Sequence, residues 1–200
     1  DITVNEDSGT STTTNWATSI SAGPSNESSQ SLTFNVSNDN ASLFSSVPSI
    51  SSTGTLTFTP AANENGSTTV TVSLSDDGGT SNGGDNISPG QTFTITVTAV
   101  NDEPSFTKGL DITVNEDSGA STTATWATSI SAGPSNESSQ SLTFNVSNDN
   151  ASLFSSAPSV NSSGTLTFTP ASNENGSTTV TVSLSDDGGT SNGGDNISPE

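Results

Sequence analysis

The stretch Gln91-Thr-Phe-Thr-Ile-Thr-Val-Thr-Ala-Val-Asn-Asp-Glu-Pro-Ser-Phe106 decides how this chain reads. Phe93, Ile95 and Val97 alternate with threonines, so one face of an extended segment is apolar and the other hydroxylic. That period of two marks a half-buried β-strand. The strand runs without a spacer into Asn101-Asp-Glu-Pro104, which places amide and carboxylate oxygens directly after it. The same alternation recurs upstream in Leu32/Phe34/Val36, Leu56/Phe58 and Val70/Val72/Leu74. Strands are expected over 2–4, 11–17, 31–37, 55–59, 68–75 and 91–100. Turn residues separate them, at Ala22-Gly-Pro-Ser25, Thr53-Gly54, Asn65-Gly66 and through the long stretch 76–89. No window carries a stripe of helical period, so the expected fold is all-β, an antiparallel β-sandwich.

Residues 1–90 recur as 111–200 with nine differences: Thr10/Ala120, Thr14/Ala124, Asn15/Thr125, Val47/Ala157, Ile50/Val160, Ser51/Asn161, Thr53/Ser163, Ala62/Ser172 and Gly90/Glu200. Such identity indicates duplication within an array, and two tandem sandwiches of an ordinary domain size are expected, over 1–102 and 103–200. The second copy reaches only the equivalent of Gly90, ahead of the strand expected over 91–100. It is therefore expected to lack its last strand and to leave a neighbouring edge open to pairing in trans.

Only 26% of the residues are hydrophobic and the formal charge is −20, values that in an unpatterned chain would indicate disorder. Here the apolar residues are concentrated in alternating runs, which favours folded, half-buried strands. With one Lys, no Arg and no His, the chain has no basic patch to displace counterions from phosphate. Nucleic acid and anionic membrane surfaces are thus excluded as direct partners. Crowded carboxylates call instead for divalent cations. The lack of Cys and His leaves zinc, copper and haem poorly served, whereas Asp, Glu and Asn supply the hard oxygens that calcium takes six to eight at a time. A chain without cysteine fits an exterior location that needs no disulfide.

Several motifs, in order and spacing, resemble the cadherin-type domain, and more closely the cadherin-like tandem repeats of very large bacterial surface adhesins of the RTX type. Val4-Asn-Glu-Asp-Ser-Gly9 resembles the early segment in which a Glu follows the first strand. Phe44 followed by Thr53-Gly54-Thr-Leu56, Thr71-Val-Ser-Leu-Ser-Asp-Asp-Gly-Gly79 and the 94–106 linker resemble three further signatures of the family. The resemblance implies calcium bound where successive repeats meet. Its ligands would be Glu6 and Glu64 from the end of repeat 1, Asn101 and Asp102 from the linker, and Glu137, Asp186 and Asp187 from repeat 2. Ala99 stands where cadherins carry Asp, and Ser-Asn-Glu137 and Asn63-Glu-Asn65 replace richer acidic motifs. One or two ions per joint are expected, against three in cadherins. The function implied is a structural extender on the bacterial cell surface. Calcium would rigidify it so that it holds a distal binding module away from the cell, with neighbouring repeats of the same chain as its partners.

Blander readings stand beside these. Asp77-Gly78 and Asn82-Gly83 are turn formers by default, and Asp7, Asp39, Asp85 and Glu27 read as solvated loop residues; Glu27, Asp76 and Asp77 become ligand candidates only where a further domain precedes them. Trp16 and Trp126 read as core aromatics; exposed, they would instead favour a direct binding module for carbohydrate or for a like protein. An enzyme is not expected. Ser has no base to activate it, and Asp76-Asp77 sits on a loop without the cleft that glycoside hydrolysis needs.

Overall fold

The structure, a computed structural model, describes residues 1–199. It is all-β: among the described residues strands alternate with short 3-10 turns and there is no α-helix. The chain divides into two compact units, Asp1–Ala99 and Val100–Glu200. The sequence reading places the division after residue 102. In the structure Asn101 and Asp102 fall in the second unit, where their hydrogen bonds lie.

Unit 1 contains β1 (Ile2–Asn5), β2 (Ser11–Thr13), β3 (Thr33–Asn38), β4 (Phe44–Ile50), β5 (Leu56–Pro60), β6 (Gly66–Ser75) and β7 (Gln91–Thr98). They form two sheets, β1-β7-β6-β3 and β2-β5-β4. Leu43, Phe44, Leu56 and Phe58 from one side and Val70, Val72, Ile95 and Val97 from the other make a single buried cluster, the face-to-face core of a β-sandwich. The registers explain the alternation. Ile95 sits between Ile2 and the buried Thr68, and Val97 between Val4 and Gly66, so the apolar side chains of β1 and β7 stack on one face. Trp16 is half-buried against this core, its ring 4.7 Å from that of Phe93.

Three sequence expectations need correction. The sheets are not wholly antiparallel, because β1 pairs parallel with β7. The segment expected over 11–17 stops at Thr13, since Asn15 turns the chain with φ of 55°. Strand β4 was not foreseen, as Ser-Ser-Val-Pro-Ser gives no alternating pattern. It is an edge strand paired only with β5 through shifted register, the setting in which a proline is tolerated.

Unit 2 contains β8 (Ser105–Thr107), β9 (Ser121–Thr123), β10 (Thr128–Ser131), β11 (Thr143–Asn148), β12 (Phe154–Val160), β13 (Leu166–Pro170) and β14 (Val180–Ser185). The β12-β13-β9 sheet reproduces β4-β5-β2 of unit 1, and β11-β14 reproduces β3-β6. Beside β14 the similarity ends. Residues 112–115 have the sequence of β1 yet form no strand, and residues 176–179 have the sequence that opens β6 yet are not extended into the sheet. Both segments in unit 1 are held by β7, for which unit 2 has no counterpart among its described residues. The core loosens accordingly: Phe58 and Val70 are fully buried, whereas their copies Phe168 and Val180 are only partly so.

Below the core, Asp39 Oδ1 accepts hydrogen bonds from the Thr68 hydroxyl (2.6 Å) and the Thr69 N–H (2.8 Å), tying the end of β3 to β6. Asp149 makes the same pair of bonds to Thr178 and Thr179. Donors that favour the charged form hold both carboxyls below their ordinary value of 3.8, the Thr68 and Thr178 hydroxyls having the largest effect.

Two outcomes follow for solution measurements. Amide hydrogen exchange over 2–5 should be slower than over the identical 112–115, by about tenfold or more, because only the former is bonded to a neighbouring strand; equal rates would contradict the assignment. Acid stability should depend on the Asp39 and Asp149 braces. Their depressed folded values mean that each adds stability above its unfolded value, lost as pH falls through the folded one. The double variant Asp39→Asn, Asp149→Asn should therefore lose less stability than the parent between neutrality and pH below 3.8, read from denaturation midpoints.

Candidate functional site

The acidic linker seen in the sequence is built into unit 2 from its first residues. Strand β8 pairs antiparallel with β10, Ser105 opposite Ser131 and Thr107 opposite Thr128. Pro104 is fully buried, and the Phe106 ring meets Phe144 edge-on at 5.1 Å. These apolar anchors fix the two residues upstream. The Asn101 carbonyl accepts the Asp195 N–H (2.9 Å). Its side-chain amide nitrogen donates to Asp186 Oδ1 (3.0 Å) and to the Asp195 carbonyl (2.6 Å), and its amide oxygen accepts Gln140 Nε2–H (2.6 Å). Asp102 donates its N–H to Glu137 Oε1 (2.9 Å). Two glycines permit this approach, since a Cβ at Gly188 would overlap the Asn101 amide and one at Gly133 the Glu137 carboxylate.

Two carboxylates thus flank the Asn101–Asp102 peptide, and both are buried: Glu137 is 6% exposed and Asp186 8%. Asp186 Oδ1 accepts from Asn101 and from the Gly188 N–H (2.9 Å), while its buried Oδ2 accepts no hydrogen bond. Burying carboxylates is costly unless a cation or several donors compensate. The chain's single Lys108 does not serve, being engaged with Asp111 in an exposed ion pair at 3.7 Å.

The same rim of unit 1 shows what the docked segment does. Its residues are identical, but no strand lies on the segment 18–21 that corresponds to β10. Leu184 and Ser198 are buried, whereas Leu74 is half-buried and Ser88 exposed; Glu27 and Asp76 are likewise more open than Glu137 and Asp186. Burial of the acidic pair comes from Asn101–Phe106, not from the sandwich.

At the far end of unit 1, Glu6 is 1% exposed. Its N–H donates to the Thr98 carbonyl (2.9 Å) and its Oε2 accepts Asn65 Nδ2–H (3.4 Å). Its copy Glu116, beyond the unpaired segment 112–115, is exposed. Glu6 is therefore buried because β1 pairs with β7.

Of the expected ligands, Asn101, Asp102, Glu137 and Asp186 are brought together in unit 2, and Glu6 is placed beside Asn65 in unit 1. Glu64 is exposed. Asp187 accepts the Ser141 N–H (2.8 Å), which lowers its carboxyl below the ordinary range; Asp77 makes the same bond to Ser31 in unit 1, so this is a loop brace common to both copies. Asn101 acts as an anchor, since its amide oxygen is committed to Gln140. Gln140 and the Asp195 peptide were not foreseen. Among the described residues no three carboxylates converge as a metal-holding group. The buried Glu137 and Asp186 carboxylates flank the Asn101–Asp102 peptide, and oxygens of this hard type fit calcium better than a softer metal. Comparison with known protein families and with curated proteins finds no match for the chain.

Replacing Asn101 with Ala should destabilise unit 2 by about 1–3 kcal/mol by stranding Asp186 and Gln140, with unit 1 unaffected. The measurement is chemical denaturation followed by Trp126 fluorescence in a Trp16→Phe background. An unchanged midpoint for unit 2 would show that the anchor carries no weight.

Proposed function

We propose that these two units are cadherin-like extender repeats of an exported bacterial surface adhesin, stiffened by calcium, whose role is to hold a distal binding module away from the cell. The observation that carries the reading is the buried Asp186 Oδ2, which accepts no hydrogen bond, in a rim that also holds the buried Glu137 and the Asn101–Asp102 peptide. Asp186 Oδ2, the Glu137 carboxylate and the Asp102 side chain would hold the ion. Calcium when bound supplies the missing positive charge and ties these oxygens together. Asn101 keeps the linker backbone in place, and Pro104 and Phe106 hold the segment against the sandwich. A pair of buried carboxylates leaves much of the coordination to amide oxygens and water, so affinity should fall in the range of about 10⁻⁴–10⁻³ M typical of extracellular modules.

Repetition supports an extender, which needs many similar units and no unique catalytic site. The half-burial of Trp16 and Trp126 against their own cores argues against a stacking platform for sugars. The chain has no His or Cys, and several acidic residues (Asp39, Asp77, Asp149 and Asp187) serve as loop and strand braces, which fits a structural role better than an enzymatic one.

The test is calcium titration of the parent chain and of Asp102→Ala, by calorimetry and thermal melting. Calcium should raise the melting temperature of unit 2 and magnesium at equal concentration should do so much less. Asp102→Ala should lose about tenfold or more in affinity while remaining folded, since its N–H bond to Glu137 is made by the backbone. Unchanged affinity in the variant would remove the site. Equal protection by magnesium would reduce the effect to charge screening.

A further inference from the structure

The loop between β6 and β7 and the loop that follows β14 carry the same run Thr-Ser-Asn-Gly-Gly-Asp, at 80–85 and 190–195. Each folds into a β-turn. The Gly84 N–H is donated to the Ser81 carbonyl (3.2 Å), and the Gly194 N–H to the Ser191 carbonyl (3.0 Å). Asn82 has φ 59° and ψ 27° and Gly83 has φ 84°; in the second loop Asn192 has φ 60° and ψ 17° and Gly193 has φ 91°. Positive φ at both central positions makes this the type I′ turn that Asn-Gly favours. All four central residues are exposed. A type I′ turn differs from type II′ by a flip of the one peptide between its central residues. That flip takes the Asn ψ to about −120° and the Gly φ to about −80°, and keeps the Asn φ and the closing hydrogen bond. At that ψ the glycine nitrogen eclipses the Asn Cβ, which is the torsion a five-membered ring closed through Cγ requires. Glycine adopts either sign of φ at little cost and has no side chain to shield its nitrogen.

We infer that Asn82 and Asn192 are modification sites, at which the side-chain amide converts spontaneously to isoaspartate. The deprotonated glycine nitrogen attacks Asn Cγ; a C–N bond forms, the bond from Cγ to Nδ2 breaks, and ammonia leaves with the proton. Water then opens the cyclic imide at either carbonyl and gives aspartate or isoaspartate. Water is the sole co-reactant. Each event adds one negative charge, and the isoaspartyl product lengthens the backbone by one carbon. In the second loop this change falls shortly before Asp195, whose N–H the Asn101 carbonyl accepts (2.9 Å). Asn65-Gly66 has the same dipeptide in a different setting. Gly66 opens β6 opposite Val97 of β7, and Asn65 Nδ2–H is donated to Glu6 Oε2 (3.4 Å). A flip there has to break the sheet ladder first. No metal takes part in the conversion, so it is independent of the calcium reading.

The experiment incubates the full 200-residue chain at mildly alkaline pH and follows each Asn-Gly by peptide mapping, with isoaspartate assigned by fragmentation mass spectrometry. Asn82 and Asn192 should both convert, with isoaspartate as the main product. Each should convert at least about tenfold faster than Asn65, whose cyclisation waits for local opening of the sheet. The double variant Asn82→Gln, Asn192→Gln, in which the ring would need six members, should lose most of the acidic species that isoelectric focusing resolves in the aged parent. Failure of either residue to convert, conversion of Asn65 at the same rate, aspartate without isoaspartate, or undiminished acidic species in the double variant would each overturn the proposal.

Discussion

An extended backbone carries an N–H and a carbonyl at every residue, and in a sheet these must find partners on both sides or face water. In this protein the segment Gln91–Thr98 meets that requirement for three strands at once, parallel to β1 and antiparallel to β6. Near-identical sequence without that segment does not hold the same structure. Residues 112–115 stay unpaired, β14 begins only at Val180, and Glu116 is exposed where Glu6 is buried. The difference arises from one missing hydrogen-bonding neighbour, because the residues themselves are the same. Local propensity gives these segments a tendency to extend; the sheet decides whether they do.

The linker applies the same principle at the opposite end of the unit. Asn101–Phe106 covers Leu184 and Ser198 and buries Glu137 and Asp186, whose copies in unit 1 are more open. Gln91–Phe106 is thus a single run with two tasks: its first half completes one sandwich and its second half begins the next. This explains why the apolar alternation passes into Asn-Asp-Glu-Pro without a flexible spacer. The buried Pro104 and the Phe106 ring, edge-on to Phe144, anchor the second half in unit 2.

The all-β class and the apolar face of β3, β5, β6 and β7 were legible in the sequence, because Phe34/Val36, Leu56/Phe58, Val70/Val72 and Ile95/Val97 alternate cleanly. Strand β4 was not, since Pro48 and its serines obscure the period and its place at a sheet edge is a tertiary fact. Nor was the parallel β1–β7 pair, because alternation is blind to strand direction. For the site, the linker residues and Glu137 and Asp186 could be picked by their order and chemistry. Their division of labour could not. That the Asn101 amide oxygen accepts from Gln140, and Asp187 from the Ser141 N–H, depends on which donor stands nearby in the fold. Gln140 carried no signal at all beyond its place shortly after Glu137.

The electrostatics explain why so acidic a chain can fold around its own carboxylates. Most of them lie in loops where water screens them, and several are satisfied locally: Asp39 and Asp149 by threonine donors, Asp77 and Asp187 by the N–H groups of Ser31 and Ser141. Hydrogen-bond donors of the backbone and of hydroxyls therefore substitute for the basic side chains that the sequence lacks. Asp186 departs from that pattern, with one oxygen served twice and the other buried and accepting none. A carboxylate in that state is stabilised far more by a cation than an exposed one is, since the low-dielectric surroundings strengthen the attraction that water would weaken. The docking of Asn101–Phe106 thus goes with the burial of groups whose copies are more open at the equivalent rim of unit 1.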